Sequence, residues 1–82
     1  MGELDVVARA GDLLVVAEVR TRASDRYGGA AASIGWSKQR RIVVTTSLLL
    51  QRHPELRHCR VRFDVLVVRD GAVEWIKHAF SA

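Results

Sequence analysis

Asp5, Glu18 and Arg20 are the residues of this 82-residue chain whose types and spacing best support chemistry. Asp5 and Glu18 sit in two apolar segments that flank the turn-forming sequence R-A-G-D, and Arg20 follows Glu18 by two positions. Glu3 adds a further carboxylate one alternation before Asp5. Carboxylates clustered among apolar residues are costly. A half-buried, unpaired one costs on the order of several kcal/mol or takes up a proton. A hard, oxygen-seeking divalent cation such as Mg²⁺ or Mn²⁺ would relieve that cost. The competing arrangement is a solvated ion-pair surface in which Arg9, Arg20 and Arg22 neutralise Glu3, Asp5 and Glu18.

The elements that must position these groups follow from periodicity. Residues 3 to 9 alternate, with Glu3, Asp5 and Val7 on one side and Leu4, Val6 and Ala8 on the other, as in a strand. Residues 13 to 20, L-L-V-V-A-E-V-R, form a second strand that is apolar on both faces and so central in its sheet. With Ala10 and Gly11 as the turn residues, Glu3 faces Glu18 and Asp5 faces Val16. Glu3, Asp5, Glu18 and Arg20 then share one surface, with opposite side chains ~5 Å apart and diagonal ones ~7–8 Å. A one-residue change in the turn would flip the faces.

Residues 22 to 35 are rich in Gly, Ala and Ser without sustained periodicity and form a long loop. Ser37 is the expected N-cap of a helix that runs through K-Q-R-R and the apolar run to His53-Pro54. That stretch is too long for an ordinary strand, and Pro54 suits a helix end. Residues 60 to 68 form a third strand, and Asp70-Gly71 turns it into a fourth, A-V-E-W-I-K. The layout is β-hairpin, loop, helix, β-hairpin: one α/β domain over residues 1–82 with a mixed four-stranded sheet.

Basic residues gather where the helix begins. Lys38, Arg40 and Arg41 lie in its first turn, where positive charge opposes the macrodipole by ~0.3–1 kcal/mol. A bound phosphate would reverse that penalty, and Arg22 and Arg26 extend the positive region across the loop. Gln39 could orient a phosphate or a water. Tyr27 and Trp36 could stack on bases, although core packing or loop anchoring is the commoner use of such residues. No groove-reading motif is present, so contacts to backbone or DNA shape are expected over base readout. His53, His58 and His78 lack a ligand-like spacing and are expected at the surface. Asp64 is expected to pair with Arg62 in a structural role, with Phe63, Trp75 and Phe80 in the core and Cys59 a small buried or edge residue.

The segments G-E-L-D-V-V-A-R and L-V-V-A-E-V-R-T-R, followed by K-Q-R-R, R-F-D-V and E-W-I-K-H-A-F in that order, resemble the bacterial YraN-type family. That family is similar to Holliday-junction resolvases within the PD-(D/E)XK, restriction-endonuclease-like superfamily of nucleases. The resemblance covers nearly the whole chain. It implies a restriction-endonuclease-like core and metal-dependent hydrolysis of DNA phosphodiesters, on branched or single-stranded substrates. It also implies Asp5 and Glu18 as metal ligands and a contribution from the Val19 backbone carbonyl, while Glu3 is a candidate additional acidic residue on the strand spacing alone. Arg20 stands where the family's lysine is expected. Lysine can shift its pKa and orient or deprotonate a water; arginine keeps its proton and can only bind or stabilise phosphate. A catalytically inactive nucleic-acid-binding module of the same fold is therefore the alternative, with an interaction protein that pairs through its sheet as a third. Family members carry an N-terminal helix before G-E-x-D. The domain is expected to be N-terminally truncated, with an apolar sheet face that a homodimer would cover.

Composition narrows the remaining classes. Thirteen Lys and Arg, eleven of them Arg, against nine Asp and Glu give a net charge of +4, which favours an anionic partner. One cysteine excludes an intramolecular disulfide and fits a reducing compartment. The start lacks a signal-peptide pattern, and the apolar run at 42–50 is too short to span a bilayer. A cytoplasmic protein without a membrane segment is expected.

Overall fold

In the computed structural model, which describes residues 3–21 and 34–82, four strands form one sheet in the order β1-β2-β3-β4. The strands are β1 (Val6–Ala10), β2 (Leu13–Thr21), β3 (Arg60–Arg69) and β4 (Ala72–Phe80). Helix α1 (Trp36–Arg52) and a short 3₁₀ turn (Pro54–Leu56) connect β2 to β3. β1 and β4 pair antiparallel with their neighbours, whereas β2 and β3 are parallel. A parallel pair needs a crossover, and α1 supplies it. The sheet is mixed, as the separated hairpins anticipate. No helix among the described residues is long and apolar enough to cross a membrane.

The first hairpin differs from the sequence expectation in register. Its turn is Gly11-Asp12, with Gly11 at φ 60°, and Ala10 pairs with Leu13. Val6 pairs with Ala17 and Val7 with Val16, so Val16, expected opposite Asp5, faces Val7 instead. The correction is a shift of two residues, which preserves the faces because side chains alternate with period two. Continuing the register brings Asp5, rather than Glu3, level with Glu18. The second hairpin follows expectation: Asp70 and Gly71 both have positive φ, 50° and 77°, as a type I′ turn requires.

Helix α1 begins earlier than expected. Gly35 is the N-cap, with no side-chain cap, and Ser37 lies inside the first turn. The other end is well held: the Arg57 guanidinium donates to the carbonyls of Leu50 (3.3 Å) and Gln51 (3.0 Å). The last carbonyls of a helix lack donors one turn further on, and a cation suits the negative end of the dipole.

The helix covers one face of the sheet. Ile42 packs with Val16 and Phe63, and Leu4, Val43, Val61 and Phe80 close around them. A second cluster joins Ile34 to Val65 and Val67. The stacked rings of Phe63 and Phe80, 5.1 Å apart, link β3 to β4. Ile42 and Thr46 are the buried residues of α1, and Ile42 is the one apolar side chain among them. The opposite face carries an open apolar trough lined by Val6, Ala8, Val15, Ala17, Leu66 and Trp75. Trp75, expected in the core, is 53% exposed because it projects from β4 onto this uncovered face.

Asp64 on β3 is fully buried and bonded on both carboxylate oxygens. Arg62 donates to both (2.9 Å each), Trp75 Nε1 to Oδ2 (2.8 Å) and the His78 amide to Oδ1 (2.9 Å). The β3–β4 register shifts between Phe63 and Val65, and His78 there adopts φ 54°. The Asp64 carboxylate thus closes a β-bulge by accepting the amide that the ladder no longer pairs. Burial pushes this carboxyl up, but the hydrogen bonds from Arg62, the His78 amide and Trp75 outweigh it and hold the group below the usual carboxylate value. The expected structural role of Asp64 agrees with this environment.

Candidate functional site

Glu18 sits near the end of β2 that follows its apolar run, on the side of the sheet that faces α1. Its neighbours Val16 and Ala17 are buried, and Glu18 itself is only 6% exposed. Lys38, in the first turn of α1, places Nζ 3.2 Å from Glu18 Oε2. Arg20 lies one alternation along the strand, with a guanidinium nitrogen 4.0 Å from the same oxygen. Asp5 precedes β1, and its Oδ2 accepts a 3.0 Å hydrogen bond from the Val19 amide. That bond ties the segment before the first strand to the edge of β2 and brings the two carboxyls together.

The electrostatics of Glu18 are dominated by its burial. Burial raises the Glu18 pKa most, and the adjacent Asp5 carboxyl adds to it through a shared hydrogen bond and charge repulsion. Lys38 opposes both, yet the net direction is upward. Lys38 and Arg20 both reach Glu18 Oε2, and the upward direction therefore reflects burial and the adjacent Asp5 carboxyl. Glu3, Asp5, Lys38, Arg41, Ile42 and Thr45 line a cleft of about 270 Å³ beside this pair.

The two hard-oxygen donors could hold a small divalent ion only if it kept much of its water shell. Mg²⁺ is commonly held by one or two carboxylates, with water and substrate phosphate completing the sphere. Asp5 and Glu18 provide that pair, although among the described residues no group of three or more Asp, Glu, His or Cys side chains comes together. Glu3 lines the cleft without completing such a group.

The structure brings together Asp5, Glu18, Val19 and Arg20 from the hairpin and Lys38 and Arg41 from α1. Gln39 turns the other way: its amide donates to the Ile34 carbonyl (3.0 Å) and holds the entry to the helix. Arg40 lies over the Trp36 ring at 5.9 Å. Trp36 is 73% exposed, so core packing is not its role. Arg22, Arg26 and Tyr27 lie outside the described residues.

Sequence reasoning placed Lys38 among phosphate-binding residues and did not pair it with Glu18. The signal was present. The first turn of α1 has no acidic residue, and a cation there needs an anion. The anion is an internal carboxylate, and only the docking of α1 on β2 makes the two adjacent.

Sequence comparison shows the family of the chain. Residues 1–68 match the family described as Uncharacterised protein family UPF0102, and the chain belongs to it. A UPF0102 protein of Burkholderia vietnamiensis is 48% identical over 82 residues, covering 99% of this chain and 56% of its own length. One from Xanthomonas oryzae pv. oryzae is 46% identical over 83 residues, covering 99% of this chain and 68% of its own. A third, from Paracidovorax citrulli, is 50% identical over 82 residues, with 99% and 59% covered. The chain thus spans roughly three-fifths of the length of these relatives.

Proposed function

We propose that this domain is a Mg²⁺- or Mn²⁺-dependent endonuclease of the restriction-endonuclease-like, Holliday-junction-resolvase-like type that hydrolyses DNA phosphodiesters. The observation that carries the reading is the geometry around the buried Glu18, which adjoins the Asp5 carboxyl while Lys38 and Arg20 converge on its Oε2 at 3.2 and 4.0 Å. Asp5, Glu18 and the Val19 carbonyl would hold the ion, which when bound polarises the scissile phosphate and makes water a better nucleophile.

The remaining chemistry belongs to side chains of the chain itself. Arg20 keeps its proton at any working pH, so its part is to bind a phosphate oxygen. Lys38 offers hydrogen-bond donors from the helix side of the site. It takes over, from the helix, the water-orienting role that Arg20 cannot fill on the strand. Arg41, at the rim of the same cleft, draws the backbone toward the carboxyl pair. Asp5 also serves the scaffold, because by accepting the Val19 amide it fixes the backbone from which Glu18 and Arg20 project.

The test is incubation of the full chain with labelled four-way junctions, flaps and single strands, with Mg²⁺, Mn²⁺ or chelator. Cleavage is expected only with the ion. Asp5→Asn should lower it at least 100-fold, and Lys38→Met should lower kcat more than KM. Cleavage that survives Asp5→Asn would remove these residues from the site. Salt-sensitive binding without cleavage, weakened by Arg40→Ala, would identify an inactive DNA-binding module instead. That second reading is favoured by one feature, the arginine at position 20.

A further inference from the structure

We infer that Trp36 and Arg40 form a stacking platform for one unpaired nucleobase, which directs the site toward single-stranded segments of nucleic acid. The inference rests on the reading of the neighbouring carboxyl pair as a phosphodiester site and names its substrate class.

Trp36 is the first residue of α1 and is 73% exposed, the most open of the large apolar side chains among the described residues. Trp75, the other tryptophan, has its indole nitrogen committed to the Asp64 carboxylate, so structure accounts for its position. Burial in the core does not account for Trp36. Its ring is met by the Arg40 guanidinium at 5.9 Å, one helical turn further on. A cation seated over one face of an indole restrains its rotation and leaves the other face for a flat partner.

Successive residues of a helix are about 100° apart, so Trp36 and Arg40 project about 40° from each other and Lys38 about 160° from Arg40. The platform therefore stands across the first turn from the Lys38–Glu18 pair, about one helix diameter, ~10 Å, away. Successive nucleotides advance ~3.4 Å along the axis of B-form DNA and farther in an unstacked strand, so a base on Trp36 lies at most about three nucleotides from a phosphate at the carboxyl pair. Lys38, Arg40 and Arg41 mark the intervening turn with positive charge. Bases inside a duplex have both faces stacked, and only a single strand, flap or junction arm presents a free one. Stacking on an aromatic ring is tolerant of sequence, which agrees with a chain that carries no groove-reading motif.

The test is fluorescence anisotropy of a labelled oligothymidylate and of an abasic strand with the same number of phosphates. The full chain is used without divalent ion, in the Asp5→Asn background, so that binding is read independently of hydrolysis. Oligothymidylate should bind about tenfold more tightly than the abasic strand. Trp36→Ala should erase that difference while leaving affinity for the abasic strand unchanged, and Trp36→Phe should restore part of it. Equal affinities for the two strands, or a preference that persists in Trp36→Ala with an unchanged circular dichroism spectrum, overturn the platform. Loss of cleavage in the endonuclease assay with the thymidine preference intact would reject the hydrolytic reading and leave the platform standing.

Discussion

Glu18 concentrates the chemistry of this chain because two opposed demands meet on one carboxyl. Its strand position buries it, and its neighbour Asp5 repels it, while Lys38 and, at longer range, Arg20 bring compensating charge. The folded state therefore binds the Glu18 proton more tightly than the unfolded chain does, whose value is the ordinary 4.5. Between that value and the raised one, the native state holds more protons, so stability falls as pH rises through the window. Glu18→Gln should remove this slope. In urea titrations from about pH 4 to 8, the wild-type midpoint should decline with pH relative to the variant, and the variant should be the more stable at neutral pH. A wild-type midpoint that rises with pH relative to Glu18→Gln would show that the carboxylate is fully compensated in the fold.

At the scale of the element, the second hairpin depends on a buried acid at its bulge. Asp64 accepts four hydrogen bonds from Arg62, Trp75 and the His78 amide, and these hold its carboxyl below 3.8. The sign is opposite to that of Glu18: the stabilisation is present above pH 3.8 and is lost as pH falls through the depressed folded value. Asp64→Asn keeps the size but leaves the guanidinium facing a neutral amide with an N–H₂ group turned toward one of its donors. Breaking one side of such a buried arrangement costs about 3 kcal/mol. Chemical denaturation at about pH 7 measures that loss, and it should shrink as pH approaches ~3. An equal loss at both values would show that packing, not charge, dominates the position. The first hairpin is held by exposed single bonds instead, the Val19 amide to Asp5 Oδ2 (3.0 Å) and Arg9 Nε to the Gly11 carbonyl (2.9 Å), around Gly11 at φ 60°.

At the scale of the whole molecule, the weak point is the attachment of α1. Ile42 is the one apolar residue of the helix that is buried, and it fills the space between Val16 and Phe63. Truncating such a side chain costs about 2–5 kcal/mol, while a core of this size supplies only about 3–5 kcal/mol in total. Ile42→Ala should therefore leave much of the chain unfolded at room temperature, visible as lost helical ellipticity in the far-ultraviolet circular dichroism spectrum. A cooperative transition near the wild-type midpoint would mean that the half-buried Leu48, Leu49 and Leu50 hold the helix without it. The same docking carries Lys38 to Glu18, so the stability of the fold and the geometry of the candidate site depend on one contact layer.

The sequence by itself determined the order of the elements, the position of the second turn, and the side of the sheet on which Asp5, Glu18 and Arg20 lie. These are local properties: alternation along a strand and the positive φ of Asp70-Gly71 depend on neighbouring residues alone. Tertiary structure decided the rest. The two-residue register shift that puts Asp5 beside Glu18 preserves every alternation, so no pattern of apolar residues could reveal it. The exposure of Trp75 was set by which face α1 left uncovered, and the bulge at His78 by where the Asp64 carboxylate found its donors. Likewise, the rotation of α1 over β2 selected Lys38, among three cations of one turn, to reach Glu18 while Arg40 turned outward to Trp36. Charge and residue type announced a site, and the packing of one helix on one strand chose its members.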